Sequence, residues 1–166
     1  MKTKRLAELS MLTAAALIVF IVELRFPDII PIPGVKLGLA NIFTVYAVYR
    51  FTSKEVMLMV LTRVILGSIF STNMSALLYS LSGALLCLTG MLLLRRLIPI
   101  KYLWICSIIG AVLHNTGQIL VASAVMRSLA VLAYYPVLIV SGCIAGAFTG
   151  ICAQLVLKRL DINKKA

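Results

Sequence analysis

The sequence predicts an all-α membrane protein with six transmembrane helices and both termini in the cytoplasm. Three observations predict it. First, 62% of the 166 residues are hydrophobic and only 13% are charged, against about 45–50% and about 25% in an ordinary soluble domain. A chain this small could not bury so much apolar surface in water. Second, the apolar residues fall into six runs separated by short polar or proline-rich breaks. Third, the basic residues gather in alternate breaks, as the positive-inside rule requires. The length leaves room for one polytopic domain, 1–166, and none for a separate soluble enzyme.

The first run covers 6–26. It follows Lys2, Lys4 and Arg5, which gives it the look of a leader peptide, but no small-x-small cleavage site follows; the run closes on Glu23, Leu24 and Arg25, and a membrane span is expected. The break PDIIPIPGVK holds Pro27, Pro31, Pro33 and Gly34, residues that stop helices and make turns. The second run, 37–51, is short. At 1.5 Å per residue it reaches roughly 22 Å of a hydrocarbon core roughly 30 Å thick, so the proline-rich loop before it is expected at the outer rim, sheltered by protein. The third to sixth runs cover 55–70, 75–97, 102–124 and 130–157.

Direction follows from charge. With the N-terminus inside, the inner segments hold Lys2, Lys4, Arg5, Arg50, Lys54, Arg95, Arg96, Lys101, Lys158, Arg159, Lys164 and Lys165, the outer segments only Arg25, Lys36 and Arg127, and Arg63 lies within a span. Five or seven spans would scramble this asymmetry. The net charge of +11 therefore reads as orientation in the membrane, and no nucleic-acid partner is expected.

Polar side chains inside the runs are costly in lipid and are functional candidates for that reason. They are Glu23 at the end of the first run, Lys36 and Asn41 at the start of the second, Arg63 in the third, Ser80 and Ser82 in the fourth, and His114, Asn115 and Gln118 in the fifth. Odd spans run outward and even spans inward. Glu23, Lys36, Asn41, Arg63, Ser80, Ser82 and Gln118 then fall in the outer half, with His114 and Asn115 near the middle. A polar cavity open to the outside would need such a layer. His114 and Gln118, four apart, share a helix face; Asn115 is offset by about 100°. Each residue also has a plain structural role open to it. Arg63 could neutralise Glu23, the amides and His114 could hydrogen-bond helices together, Lys36 could reach the outer headgroups, and the serines could bond their own helices. Gly142, Gly146 and Gly150 form a small-residue stripe that lets another helix approach. Ser10 and Ala14, beside Ala15 and Ala16, make a second smooth face on the first run.

The same inventory argues against several chemistries. One histidine and four scattered cysteines (Cys87, Cys106, Cys143, Cys152) offer no metal-ligand spacing. No GxxxxGK loop is present, so the chain is not expected to hydrolyse ATP itself. Glu8, Glu23, Asp28, Glu55 and Asp161 are dispersed, without the carboxylate cluster that Mg²⁺-dependent prenyl transfer needs. Neither enzymatic activity nor a cofactor is expected. In the outer half, Arg25, Lys36, Arg63 and Arg127 exceed Glu23 and Asp28, a mild preference for a small organic anion.

The segments PGVKLGLANI (33–42), Arg63 with Gly67, SLSGALLCLTGM (80–91), IGAVLHNTGQILVA (109–122) and YPVLIVSGCIAG (135–146) resemble, in order and over nearly the whole chain, a bacterial family that carries two names, heptaprenyl diphosphate synthase component I and Gx transporter. That family is similar to the S-components of energy-coupling factor (ECF) transporters, six-helix proteins of the cell membrane that capture a small molecule outside and join a transmembrane coupling subunit and two ATPases. The resemblance implies a substrate-binding subunit, with Glu23, Lys36, Asn41, Arg63, Ser82, His114, Asn115 and Gln118 as candidate ligand contacts. It implies partner docking on the first helix, where S-components commonly carry Ala-x-x-x-Ala; this sequence has Ser10-x-x-x-Ala14. The synthase name implies instead a non-catalytic membrane companion of a soluble prenyl synthase. A self-contained channel or carrier is a third reading.

Overall fold

A computed structural model describes residues 3–25, 38–71 and 74–162. Six helices follow one another: α1 (Thr3–Arg25), α2 (Asn41–Arg50), α3 (Ser53–Ser71), α4 (Met74–Leu94), α5 (Leu103–Val125) and α6 (Tyr135–Ile162). Short 3-10 turns, Ile100–Tyr102 and Leu129–Tyr134, lead into α5 and α6. The breaks have local causes. The chain enters α2 through a turn at Gly38, whose φ of +67° suits glycine, and leaves it at Phe51, which is extended. α4 gives way to turns just before Pro99, since the residue before a proline avoids helical geometry. Pro136 sits in the first turn of α6, where no N–H is missed.

Four segments are long and apolar enough to cross a membrane: Thr3–Glu23, Leu77–Leu94, Ile100–Val125 and Leu129–Leu160. The other two helices do not meet that description alone. α2 has 10 residues, about 15 Å, shorter than the expected run 37–51 because Gly38–Ala40 is a turn. α3 has 19 residues but carries Lys54, Glu55 and Arg63. Much of α2 is instead enclosed by protein: Thr44, Val45, Tyr46, Ala47 and Val48 are all buried, as in a core helix. The outside of the bundle is apolar, with exposures running from 61% for Ile18 to 80% for Leu97 and including Met11, Ile69, Leu129 and Ile144. A soluble monomer rarely carries apolar surface on this scale; lipid covers it.

α5 is the packing axis, with its largest contacts to α4 on one side and α6 on the other. Glycines make both joints. A Cβ at Gly117 would lie 2.8 Å from the Ser82 carbonyl oxygen and 2.9 Å from Gly83 Cα. On the other side, Cβ atoms at Gly146 and Gly150 would meet Ile108 Cα at 2.7 Å and Trp104 Cα at 2.6 Å. The Gly142–Gly146–Gly150 stripe thus serves packing within the chain. Between α5 and α6 the buried hydroxyls of Ser107 and Thr149 lie 3.1 Å apart. Ser107→Ala should lower stability in detergent by about 0.6 kcal/mol, at most about 1.7, and the loss should vanish in a Thr149→Ala background in a double-mutant unfolding cycle.

At the end of the bundle where α1 begins, polar contacts tie the helices together. Glu55 Oε2 accepts from the Thr52 backbone N–H, the Thr52 hydroxyl and Arg5 Nη2, each at 2.8 Å, which closes the start of α3 and links it to α1. Arg95 Nη1 donates to the Val48 and Phe51 carbonyls, at 2.7 and 3.2 Å. Those carbonyls end α2, where a cation is favoured. Cys87 and Cys106 are buried thiols in the core.

Candidate functional site

Polar residues of five helices form two groups, one on α1–α3 and one on α4–α5. Near the end of α1, Glu23 Oε1 accepts the Gly38 backbone N–H. Gly38 O in turn accepts the Asn41 N–H at 2.9 Å, which starts α2 with Asn41 as its first residue. Asn41 Oδ1 accepts from Arg63 Nη1 of α3 at 3.3 Å, a long hydrogen bond. Arg63 is 7% exposed. The ion pairs among the described residues are Arg5–Glu55 and Arg50–Glu8; the expected alternative, an Arg63–Glu23 pair, is not one of them. The Glu23 carboxylate, Cys87 and His114 nevertheless lie within electrostatic reach of the guanidinium.

α4 and α5 hold the second group. His114 packs against Gly83: a Cβ there would meet the His114 carbonyl oxygen at 2.7 Å, Gln118 Cγ at 2.8 Å and His114 Cε1 at 3.1 Å. The missing side chain at Gly83 is what lets His114 and Gln118 lie against α4. The Ser82 hydroxyl lies 3.0 Å from both the Tyr79 and Gly117 carbonyls, one within α4 and one across to α5.

The structure therefore brings Glu23, Asn41 and Arg63 together through the Gly38 turn, and Ser82, His114 and Gln118 together at the α4–α5 contact, with Arg63 and His114 in electrostatic reach of each other. Asn115 turns the other way, as its 100° offset requires: Nδ2 donates to the Leu138 carbonyl of α6 at 2.7 Å and packs where Gly142 lacks a side chain. Ser80 is half-buried. Lys36 lies outside the described residues. Ser10 and Ala14 are both exposed, on a face of α1 continued by Met11, Ile18 and Val22, opposite buried Leu9 and Ala16. Sequence reasoning missed Gly83 and Cys87 as parts of this layer. Gly83 had a signal, a glycine directly after Ser82 in a polar stretch; Cys87 had none, because a thiol in an apolar run reads as core.

A buried guanidinium, two amides, a hydroxyl and an imidazole can together hold and orient an organic anion: the cation supplies charge and directed donors, the rest fix orientation. Among the described residues no three His, Cys, Asp or Glu side chains come together as a metal site would require.

A family model described as heptaprenyl diphosphate synthase component I matches residues 12–156, a span that contains every residue named in this layer. No curated protein and no solved structure matches the chain.

Proposed function

The chain belongs to the heptaprenyl diphosphate synthase component I family, and from that premise we propose that it is a non-catalytic membrane subunit that captures a small organic anion from outside the cell for uptake driven by partner ATPases. The observation that carries the reading is Arg63. It is a cation buried inside a membrane bundle, joined to Asn41 by a long hydrogen bond and in no ion pair among the described residues. A charge so placed is costly, and an anionic ligand would relieve that cost. Asn41, Gln118, His114 and Ser82 would orient the ligand, with Glu23 holding the entry to α2 and Lys36 at the rim. Asn115, already engaged by α6, would hold that helix in place.

In this reading α2 and α3 cross the bilayer beside the four long apolar helices, giving six spans in a bacterial cell membrane with both ends in the cytoplasm. A reporter active only in the cytoplasm should then work when fused to either end; activity at one end alone would reject the topology. The exposed Ser10–Ala14 face of α1 would meet the transmembrane coupling subunit.

The test is purification in mild detergent followed by mass spectrometry of co-purified small molecules. An anionic metabolite should accompany the wild type and be absent from Arg63→Met. No ligand in either, together with no rise in thermal stability on adding candidate anionic metabolites, would reject the proposal.

The family's description favours a second reading, a membrane companion of a prenyl diphosphate synthase. The two separate by partner: affinity capture should recover ATPases and a coupling subunit under the first, a soluble synthase under the second.

A further inference from the structure

A second polar site lies at the end of the bundle where α1 begins. There the start of α1, the α2–α3 turn and the α4–α5 connection enclose an open cleft of about 650 Å³ whose lining includes Arg5, Arg50, Arg95, Arg96, Ile98 and Pro99. The neighbouring acids are too few to neutralise it. Arg5 pairs with Glu55 at 2.8 Å and Arg50 approaches Glu8 at 3.7 Å. Arg95 is fixed by uncharged groups, the Val48 and Phe51 carbonyls and the Ser53 hydroxyl at 2.9 Å, so its charge is positioned without being cancelled. Arg96 is exposed and belongs to neither ion pair. Two guanidinium charges are left in excess, one of them rigidly held. The rest of the lining mixes the polar Thr52 and Ser53 with the apolar Phe51, Ile98, Pro99 and Ile100, and Leu97, between Arg96 and Ile98, is 80% exposed.

We propose that this cleft binds a phosphate-bearing anion, seated as the headgroup of an anionic phospholipid. Guanidinium groups match phosphate oxygens in geometry and charge, basic pockets between membrane helices suit lipid headgroups, and the Ile98–Pro99 wall gives the acyl chains an apolar exit. The site is distinct from the Arg63 layer and does not depend on the transport reading. It would fasten α1, the α2–α3 turn and the α4–α5 connection to one ligand.

The test uses the full chain, delipidated in a neutral detergent, with three probes: phosphatidylglycerol, phosphatidylcholine of the same acyl chains, and inorganic pyrophosphate. Native mass spectrometry reads lipid occupancy, and thermal unfolding reads stabilisation by all three. Phosphatidylglycerol should bind and stabilise, and phosphatidylcholine should not. Arg96→Gln should weaken binding about five-fold without changing the stability of the lipid-free protein. Lys158→Gln removes the same charge from the exposed end of α6 and should change nothing. Pyrophosphate acting as strongly as phosphatidylglycerol, with the same Arg96 dependence, would uphold the phosphate site and identify the free anion as its source. Equal binding of the two lipids, or equal losses in Arg96→Gln and Lys158→Gln, would overturn the proposal.

Discussion

Arg63→Met should abolish retention of an anionic ligand while leaving the ligand-free bundle at least as stable as the wild type. The two effects separate because one residue would carry opposite terms. For the folded protein, a guanidinium that is 7% exposed brings a desolvation cost that one 3.3 Å hydrogen bond to Asn41 and the field of a Glu23 carboxylate with which it forms no ion pair do not offset. Replacing buried charged groups with apolar residues of similar volume is often neutral or stabilising. For the ligand, removing the cation would leave its anion buried and unpaired, a loss of about 2–5 kcal/mol, roughly 30-fold to several thousand-fold in affinity. Thermal unfolding in detergent reads the first effect, and mass spectrometry of co-purified metabolites reads the second. A variant that loses stability and retains its ligand would mean that Arg63 is a structural cation and that the layer only joins helices. Arg63→Lys should keep the charge but lose the planar fork, and so bind weakly.

Gly117→Ala should disrupt the fold more than any substitution of an exposed residue. The Cβ alone would lie 2.8–2.9 Å from backbone atoms of Ser82 and Gly83, and backbone cannot swing aside as a side chain can. Accommodation would push α4 from α5, strain the Ser82 bond to Gly117 and lift His114 off Gly83. Overpacking commonly costs about 1–3 kcal/mol and occasionally more; a contact of backbone on backbone belongs at the upper end. The expected result is a marked fall in folded protein recovered from membranes and a lower unfolding temperature. Gly90→Ala is the matched control. Its Cβ would meet only the tip of the Leu113 side chain, which can change rotamer, so a small effect is expected. Equal losses at Gly90 and Gly117 would show that helix flexibility, not close approach, sets the glycine requirement.

Both predictions depend on contacts that were unevenly legible in the sequence. Arg63 stands out because a cation in an apolar run is rare, and counting spans gives it only an expected depth. Its neighbours did not follow. Depth places residues in a layer but does not say which way each helix is turned, so Asn41 and Asn115 looked alike; one meets Arg63 and the other faces α6. The Gly142–Gly150 stripe announced a close helix contact without identifying the partner, which is α5. In the sequence the clustered cations carry an orientation signal, and that pattern holds no information about a cleft. Arg5, Arg50, Arg95 and Arg96 come together only because α1, the α2–α3 turn and the α4–α5 connection end at one place.

What the sequence determined by itself is the solvent and the elements: an apolar chain with polar breaks belongs in lipid, and lipid leaves every backbone N–H and C=O to be satisfied within helices. The number and order of the helices and the family followed from residues read in order. Only the tertiary structure decided that α2 is a 10-residue helix largely enclosed by protein, that α5 is the axis, and which polar groups meet across it. The physical reason is that lipid on every side gives a membrane helix no strongly polar outer face to fix its rotation. The mean apolarity is high all round, and rotation is set by small residues and single hydrogen bonds on neighbouring helices, which sequence spacing along one helix cannot reveal.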